Sequence, residues 1–333
     1  MGGDNGTGGT ANGSAAAGGG NSELREFLRS RRARITPEEA GLPPQPGSRR
    51  VPGLRREEVA QLAGVSMDYY VRLERGRNLH VSESVLDAVA RALRLNETER
   101  GHLFTLARPT RTRRRPLPPQ RVRPGLYRVL ETITETPALV LGRRLDVLAA
   151  NRMARALYTD FDALPHRERN MARFAFLDEG ARAMYGDWDQ AGRSMVASLH
   201  LYAGRHPDDP QLAELIGELS LRSEDFRHWW ADHDVLRHSH GVKVYHHPVV
   251  GDLTLNYEAF TPNDDPEQTL GIHTAEAGSP SEQALRLLAA WSSESLGADG
   301  GDGTGRSGRS GGGGDETAAP GPAAAPAKGA TRP

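Results

Sequence analysis

The chain has 333 residues, 37% hydrophobic and 6% aromatic, and no cysteine. That composition excludes a disulfide framework and thiolate metal sites, and no apolar run reaches the roughly 18 residues a membrane-spanning helix needs. The net charge of −1 is divided: residues 21–125 hold 22 Arg against 12 acidic residues, a net of +10, and the remainder is net −11. One half is therefore suited to meeting a polyanion and the other is not.

Residues 1–20 are a Gly/Ala/Ser-rich tail that cannot build a core, as are residues 294–333. The start has no basic stretch followed by an apolar one, so no secretory signal is expected and a cytoplasmic, nucleoid-associated protein is. Residues 21–107 have helical periodicity. Ser22 is the expected cap of a first helix bearing Leu24, Phe27 and Leu28. Thr36, Pro37 and Glu39 form a capping box for one short turn, broken by the Pro-rich loop that follows. A second helix runs from Leu54 with Val59 and Leu62 inward, a third from Ser66 to Arg75, and a fourth opens at Ser82. Asn96 and Glu99 open a fifth.

Residues 108–125, "RPTRTRRRPLPPQRVRPG", read as a basic Pro-rich linker. In residues 126–293 the pattern changes. "TPALVLG" and "LDVLAAN" read as strands around a turn at 142–144. Helices are expected over 151–158, 169–185, 187–202 and 210–230. A hairpin turning at Gly251 and Asp252, a strand at "TLGIHTAE" and a closing helix at "SEQALRLLAAW" complete the pattern. The fold expected is a five-helix domain followed by an α+β domain.

The stretch "LRREEVAQLAGVSMDYYVRLERG", 54–76, has the parts of a helix-turn-helix. Two helices crossing steeply need a small residue at contact, supplied by Ala60. The turn needs positive φ, which Gly64 tolerates best. Ser66 caps the next helix, Tyr70 and Leu73 face inward together, and Gly76 ends it. Met67, Asp68, Tyr69 and Arg72 are left near the N-terminus of the second helix, where side chains reach base edges in the major groove. The plainer reading of this stretch is an ordinary helical hairpin.

The segment resembles the XRE/Cro-type helix-turn-helix, and "VPGLRREEVAQLAGVSMDYYVRLERG" is similar to the MmyB-like regulators of actinobacteria. The likeness continues through "DVLAANRMARAL", "RNMARFAFLD", "YGDWDQAGRSMVASL" and "HPVVGDLTLNYEAF". The resemblance implies an XRE-type DNA-binding domain followed by a PAS-like ligand-binding domain, in a transcription regulator that senses a fatty-acid-like molecule. It implies base reading by Met67, Asp68, Tyr69 and Arg72, and phosphate contact by Arg55, Arg56 and Arg77. Arg49 and Arg50, in the loop before the motif, are candidates for phosphate or minor groove; each Arg is otherwise a solvated surface charge. One recognition helix reads few base pairs, so a homodimer on double-stranded DNA with two half-sites is expected.

If the second domain encloses a lipid-like ligand, Met153, Leu157, Phe174, Phe176, Met184, Met195, Leu199, Trp229, Trp230 and Tyr257 are candidate lining residues, each otherwise plain core. Arg173, Arg193 or His200 would then meet a carboxylate head. No protein-bound cofactor is expected. Six His lie between 228 and 247, but their spacing matches no HExxH pattern and no metal site is assigned. No GxxxxGKS occurs, and GxGxxG and GxSxG occur only within the Gly-rich tail, at 303–308 and 308–312. The competing readings are a small-molecule-modifying enzyme with an appended DNA-binding domain, and a non-specific architectural binder.

Overall fold

The computed structural model describes residues 19–43, 51, 53–76, 81–107, 118–235 and 239–298. Most of the two expected tails, most of the linker, Arg49, Arg50 and Arg77 lie outside the described residues.

Five helices build the first domain: α1 (Gly19–Arg34), α2 (Arg56–Leu62), α3 (Met67–Glu74), α4 (Glu83–Ala92) and α5 (Glu97–Ala107). Leu24, Phe27 and Leu28 of α1 are buried with Val59, Tyr70, Leu73, Leu86, Val89 and Leu103 in one core. The local signals act as expected at several ends. Ser66 and Ser82 accept backbone N–H groups of Tyr69 and Val85, and Asn96 and Glu99 exchange reciprocal bonds of 2.9 and 3.0 Å. Two expectations are corrected. Ser22 does not open α1, which starts at Gly19, and Leu62, expected inward, is 37% exposed at the last position of α2.

The second domain begins inside the stretch read as linker. Helix α6 (Pro124–Thr132) opens with Pro at its first position, where the missing N–H costs nothing. A five-stranded antiparallel sheet follows in the order β2-β1-β5-β4-β3. Its strands are β1 (Ala138–Leu141), β2 (Val147–Ala150), β3 (His240–His247), β4 (Gly251–Phe260) and β5 (Thr269–Thr274). Between β2 and β3 lie α7 (Arg152–Leu157), α8 (Met171–Leu177), α9 (Ala181–Met184), α10 (Trp188–Arg205), α11 (Pro210–Arg222) and α12 (Glu224–Ala231); α13 (Pro280–Ala298) closes the fold.

Two long helices expected from periodicity are each split. Asp178 turns extended and its carboxylate accepts the N–H groups of Gly180 and Ala181, separating α8 from α9. Ser223, also extended, ends α11 and caps α12 through Phe226 N–H. The hairpin turn is also displaced. It occupies 248–250, where the Nδ1 of His247 accepts from Val249 and Val250, and Gly251, at φ +77°, already begins β4.

Alternation sorts the sheet into two faces. Tyr245, Leu253, Leu255 and Leu139 pack inward with α7, α8, α9 and α13. Ala138, Val140, Ala149 and Leu270 face outward under Leu126 and Leu130 of α6. Helices α10 to α12 form a further core around Leu199, Leu215, Leu219, Phe226 and Trp229. Among the described residues no helix is long and apolar enough to cross a membrane.

Candidate nucleic-acid interface and ligand cavity

Helices α2 and α3 are joined as the sequence pattern demands. Val65 N–H bonds to Ala60 carbonyl at 3.0 Å and Gly64 N–H to Gln61 carbonyl at 3.2 Å, a Schellman closure with Gly64 at φ +66°. Ala60 is buried at the crossing, and Tyr70 and Leu73 are fully buried. This fixes which side of α3 faces outward. Met67 is 53% exposed; Asp68 and Arg72 are exposed one turn apart, with Arg72 Nε 3.4 Å from Asp68 Oδ2. Tyr69 is half-buried against the core. Of the four residues assigned to base reading, Met67, Asp68 and Tyr69 share the first turn of α3 and Arg72 lies in its last, with Met67, Asp68 and Arg72 exposed.

Arg55 and Arg56 stand at the start of α2. Arg55 is the N-cap, its N–H bonded to the Glu58 carboxylate at 2.6 Å. Arg56 has a second task that spacing did not reveal: its Nε and Nη2 donate to Glu74 Oε1 at 3.1 and 3.0 Å. Glu74 is 1% exposed, and Arg32 of α1 reaches the same oxygen at 3.4 Å while donating to Leu54 carbonyl. A buried carboxylate at the end of α3 therefore holds three helices together. The "LERG" sequence contains that Glu, but nothing local marks it as buried.

In the second domain a cavity of about 790 Å³ opens between α10, the β3–β4 end of the sheet and the β1–β2 turn. Met171, Met195, Leu199, Leu141 and Leu145 supply apolar wall; Ser194, Ser198, Lys243 and Tyr257 supply polar groups. Of the ten candidate lining residues only Met195, Leu199 and Tyr257 line it. The rest are corrected to core: Met153, Leu157, Phe174 and Met184 fill the inner face of the sheet. Trp229 packs among α10–α12 with Phe176 and Trp230 against it. The three head-group candidates are engaged elsewhere: Arg173 with Glu218, Arg193 with Asp232, and His200 with Trp230 carbonyl. Lys243 went unnoticed because an isolated Lys on a strand has no sequence signature. Burial against the cavity wall lowers its ammonium from its usual 10.5 to about 8. A second recess, about 760 Å³, is bordered by Arg167, Arg169 and Arg173, each paired with an acidic residue.

The two domains are packed together. Arg31 of α1 is 2% exposed, with Nε 3.1 Å from Glu99 and Nη1 3.1 Å from Asp234, while Nη2 donates to His233 carbonyl. Val235 is buried in the first domain's core. Gly204 of α10 abuts His102 of α5, whose ring meets Phe27 edge-on at 5.0 Å. His200 stacks on Trp230 at 3.6 Å and lies 5.0 Å from the His233 ring. Burial pushes both His102 and His200 down to about 3, and lowers His233 as well. The remaining clustered His do not converge. His246 meets Asp252 while His247 donates from Nε2 to Ala156 carbonyl, on opposite faces of β3; His238 lies outside the described residues. Among the described residues no three ligating side chains gather for a metal.

Residues 122–288 match the family described as MmyB-like transcription regulator ligand binding domain. The chain belongs to that family. Residues 23–103 match a helix-turn-helix domain, so this MmyB-like chain joins a DNA-binding module to a ligand-binding one, the order expected from the resemblance. It is a ligand-modulated DNA-binding transcription regulator. No curated protein matches the chain. In this MmyB-like protein the matched ligand-binding domain holds the 790 Å³ cavity, and the matched helix-turn-helix carries Met67, Asp68 and Arg72 outward.

Proposed function

We propose that the chain binds operator DNA as a homodimer and that an elongated fatty-acid-like ligand in the cavity adjusts that binding. The observation that carries this reading is the double use of α10. Gln190, Ser194, Ser198, Leu199 and Tyr202 line the cavity. On the opposite side of the same helix, Gly204 abuts His102 of the DNA-binding domain, and His200 bonds to the segment leading to Asp234 and Val235. At 3.6 residues per turn the two sets are centred roughly 140° apart around the helix. A ligand that displaces α10 must also displace its seat on α5.

A cavity of several hundred Å³ suits a single small molecule, and an acyl chain gains about 0.8 kcal/mol per buried methylene. Unbranched Met195 and Met171 adapt to such a chain. For regulation the ligand must favour one arrangement of α10 over another, or it shifts nothing. The protein then works without catalysing a reaction, in the cytoplasm at the nucleoid.

The test is operator binding by fluorescence anisotropy with saturated fatty acids of increasing length, alongside sedimentation. The expected outcome is a two-fold-related footprint, a dimer, and a length-dependent change in operator affinity. If no chain length raises the melting temperature or alters affinity, the domain is a structural one and the sensor reading fails.

A further inference from the structure

We propose that Lys243 selects the ligand's head group, so that the cavity takes an amphiphile bearing one anionic head, seated against the Lys243 ammonium with its chain along α10. This rests on the reading above that the cavity is the ligand site.

The other charged groups of the wall are engaged. Arg143 is paired with Glu267 at 2.5 Å, and Glu267 also meets His206. Arg144 lies between Asp146 and Asp209 at 2.6 and 2.7 Å. His246 is bonded to Asp252, Arg205 has an interaction of its own, and Asp187 caps α10. Lys243 differs. Its Nζ lies 4.2 Å from the Tyr257 ring centroid, and among the described residues no carboxylate reaches it. An aromatic face attracts an ammonium but leaves its three N–H donors unused.

Backbone register explains why the side chain is there. Lys243 pairs with Leu255 and Gly241 with Tyr257; residues opposite each other share a face. Lys243 therefore emerges on the inner side, next to the phenol ring, on the last strand of the sheet. Shielded by the walls, its charge is poorly hydrated, which is why its pKa falls to about 8. It remains mostly protonated at neutral pH. An entering anion would supply the missing counter-charge and accept charge-assisted hydrogen bonds. A hydroxyl or ester would supply only a neutral acceptor, and a cationic head would be repelled. Met195, Leu199 and Met171 offer the chain its apolar path.

The experiment uses the full chain and five probes of one chain length: tetradecanoic acid, tetradecyl phosphate, tetradecanol, methyl tetradecanoate and tetradecyltrimethylammonium. Affinities are read by calorimetry at pH 7. The acid or the phosphate should bind about tenfold or more tightly than the alcohol and ester, the margin of a charge-assisted over a neutral hydrogen bond. The ammonium should bind weakest. Whichever anion binds better names the head-group source. Lys243→Met should remove the margin while leaving the alcohol within about twofold, and Lys243→Arg should restore most of it. Thermal melts of the unliganded variants show that they fold; Lys243→Gln replaces the Met variant if it does not.

If Lys243→Met keeps the anion preference, the head group lies elsewhere and the proposal falls, though the cavity reading stands. If wild-type protein binds all five alike, the proposal falls in the same way. If it binds none, both fall.

Discussion

Gly204 and His102 touch with no room between them. A β-carbon built on Gly204 would lie 2.4 Å from His102 Cε1 and 2.8 Å from Nδ1, closer than real contacts allow. The imidazole is 3% exposed and wedged against Phe27, so it has little freedom to retreat. Glycine here sets the approach of α10 to α5. Gly204→Ala should therefore cost about 1–3 kcal/mol, as overpacking does, and Gly204→Val more. Because the site joins the two domains, the variant should also lose part of the ligand's effect on operator affinity while ligand affinity holds. Urea unfolding and paired anisotropy titrations check both. Full coupling retained in a destabilised variant would exclude α10 as the route.

The same interface makes stability depend on pH in a definite direction. His102 and His200 take up protons near 6.5 when unfolded but only near 3 when folded. Between those values the unfolded chain binds more protons, so stability is complete above 6.5 and declines as pH falls. The slope reaches about 1.4 kcal/mol per histidine per pH unit. His233, lowered by the same burial, acts in the same direction. Urea midpoints at pH 7.5, 6.5, 5.8 and 5.2 should drop progressively, a window above most carboxylate titrations. His102→Gln should flatten the decline. Glu23, raised by burial to about 7, opposes the two histidines in this window, so an unchanged midpoint from 7.5 to 5.2 would mean that at least one imidazole is not held neutral.

Arg56 and Arg72 should separate in their effects on DNA. Arg72 projects from the outer face of α3, so Arg72→Ala should relax base preference and cost about 1–3 kcal/mol on the preferred site. Arg56 is tied to buried Glu74, so Arg56→Ala removes one of the two guanidinium groups that neutralise that carboxylate. It should lower the melting temperature as well as weaken every sequence. Arg55, whose side chain among the described residues pairs with exposed Glu57 at 3.4 Å, gives the cleaner phosphate test: Arg55→Ala should flatten the salt dependence with little change in stability. Uniform loss from Arg72→Ala would mean that α3 presents another face to the groove.

What was legible in the sequence was local. The caps at Ser66 and Asn96, the left-handed Gly64 and the inward pair Tyr70 and Leu73 each follow from residues within one turn of one another, and each is where spacing placed it. What was not legible was non-local. Arg31 and Asp234 are 203 positions apart, and nothing near Arg31 distinguishes it from its neighbours Arg32 and Arg34. The split between cavity wall and core failed for a different reason. Met153 and Met195 have the same chemistry, and only the packing of α7 and α10 sends one into the core and the other to the cavity. The hairpin turn was misplaced because Gly251 and Asp252 have turn chemistry, whereas the turn is held by the ring of His247.

Asn151, the central residue of "DVLAANRMARAL", offers a sharp test of the second domain's frame. It is 8% exposed. Its Oδ1 accepts from Ala138 N–H at 3.0 Å and Ala154 N–H at 2.8 Å. Its Nδ2 donates to Ile133 and Thr136 carbonyls at 2.7 and 2.8 Å. One amide therefore caps α7, holds the start of β1 and secures the exit from α6, with every polar position of the side chain used. Asn151→Asp has the same shape but sets a carboxylate oxygen against two carbonyl oxygens. Losing two donors in a buried site costs about 1–3 kcal/mol for each group left unsatisfied, and the added charge raises that cost. Asn151→Asp should thus be no more stable than Asn151→Ala at pH 7. Protonation restores one donor, so the Asp variant should regain stability relative to the Ala variant between about pH 6 and 4, where a carboxyl facing carbonyls takes up its proton. Thermal melts of the two variants across that range decide it. Parallel pH curves would show that the amide's donors do not hold the two carbonyls.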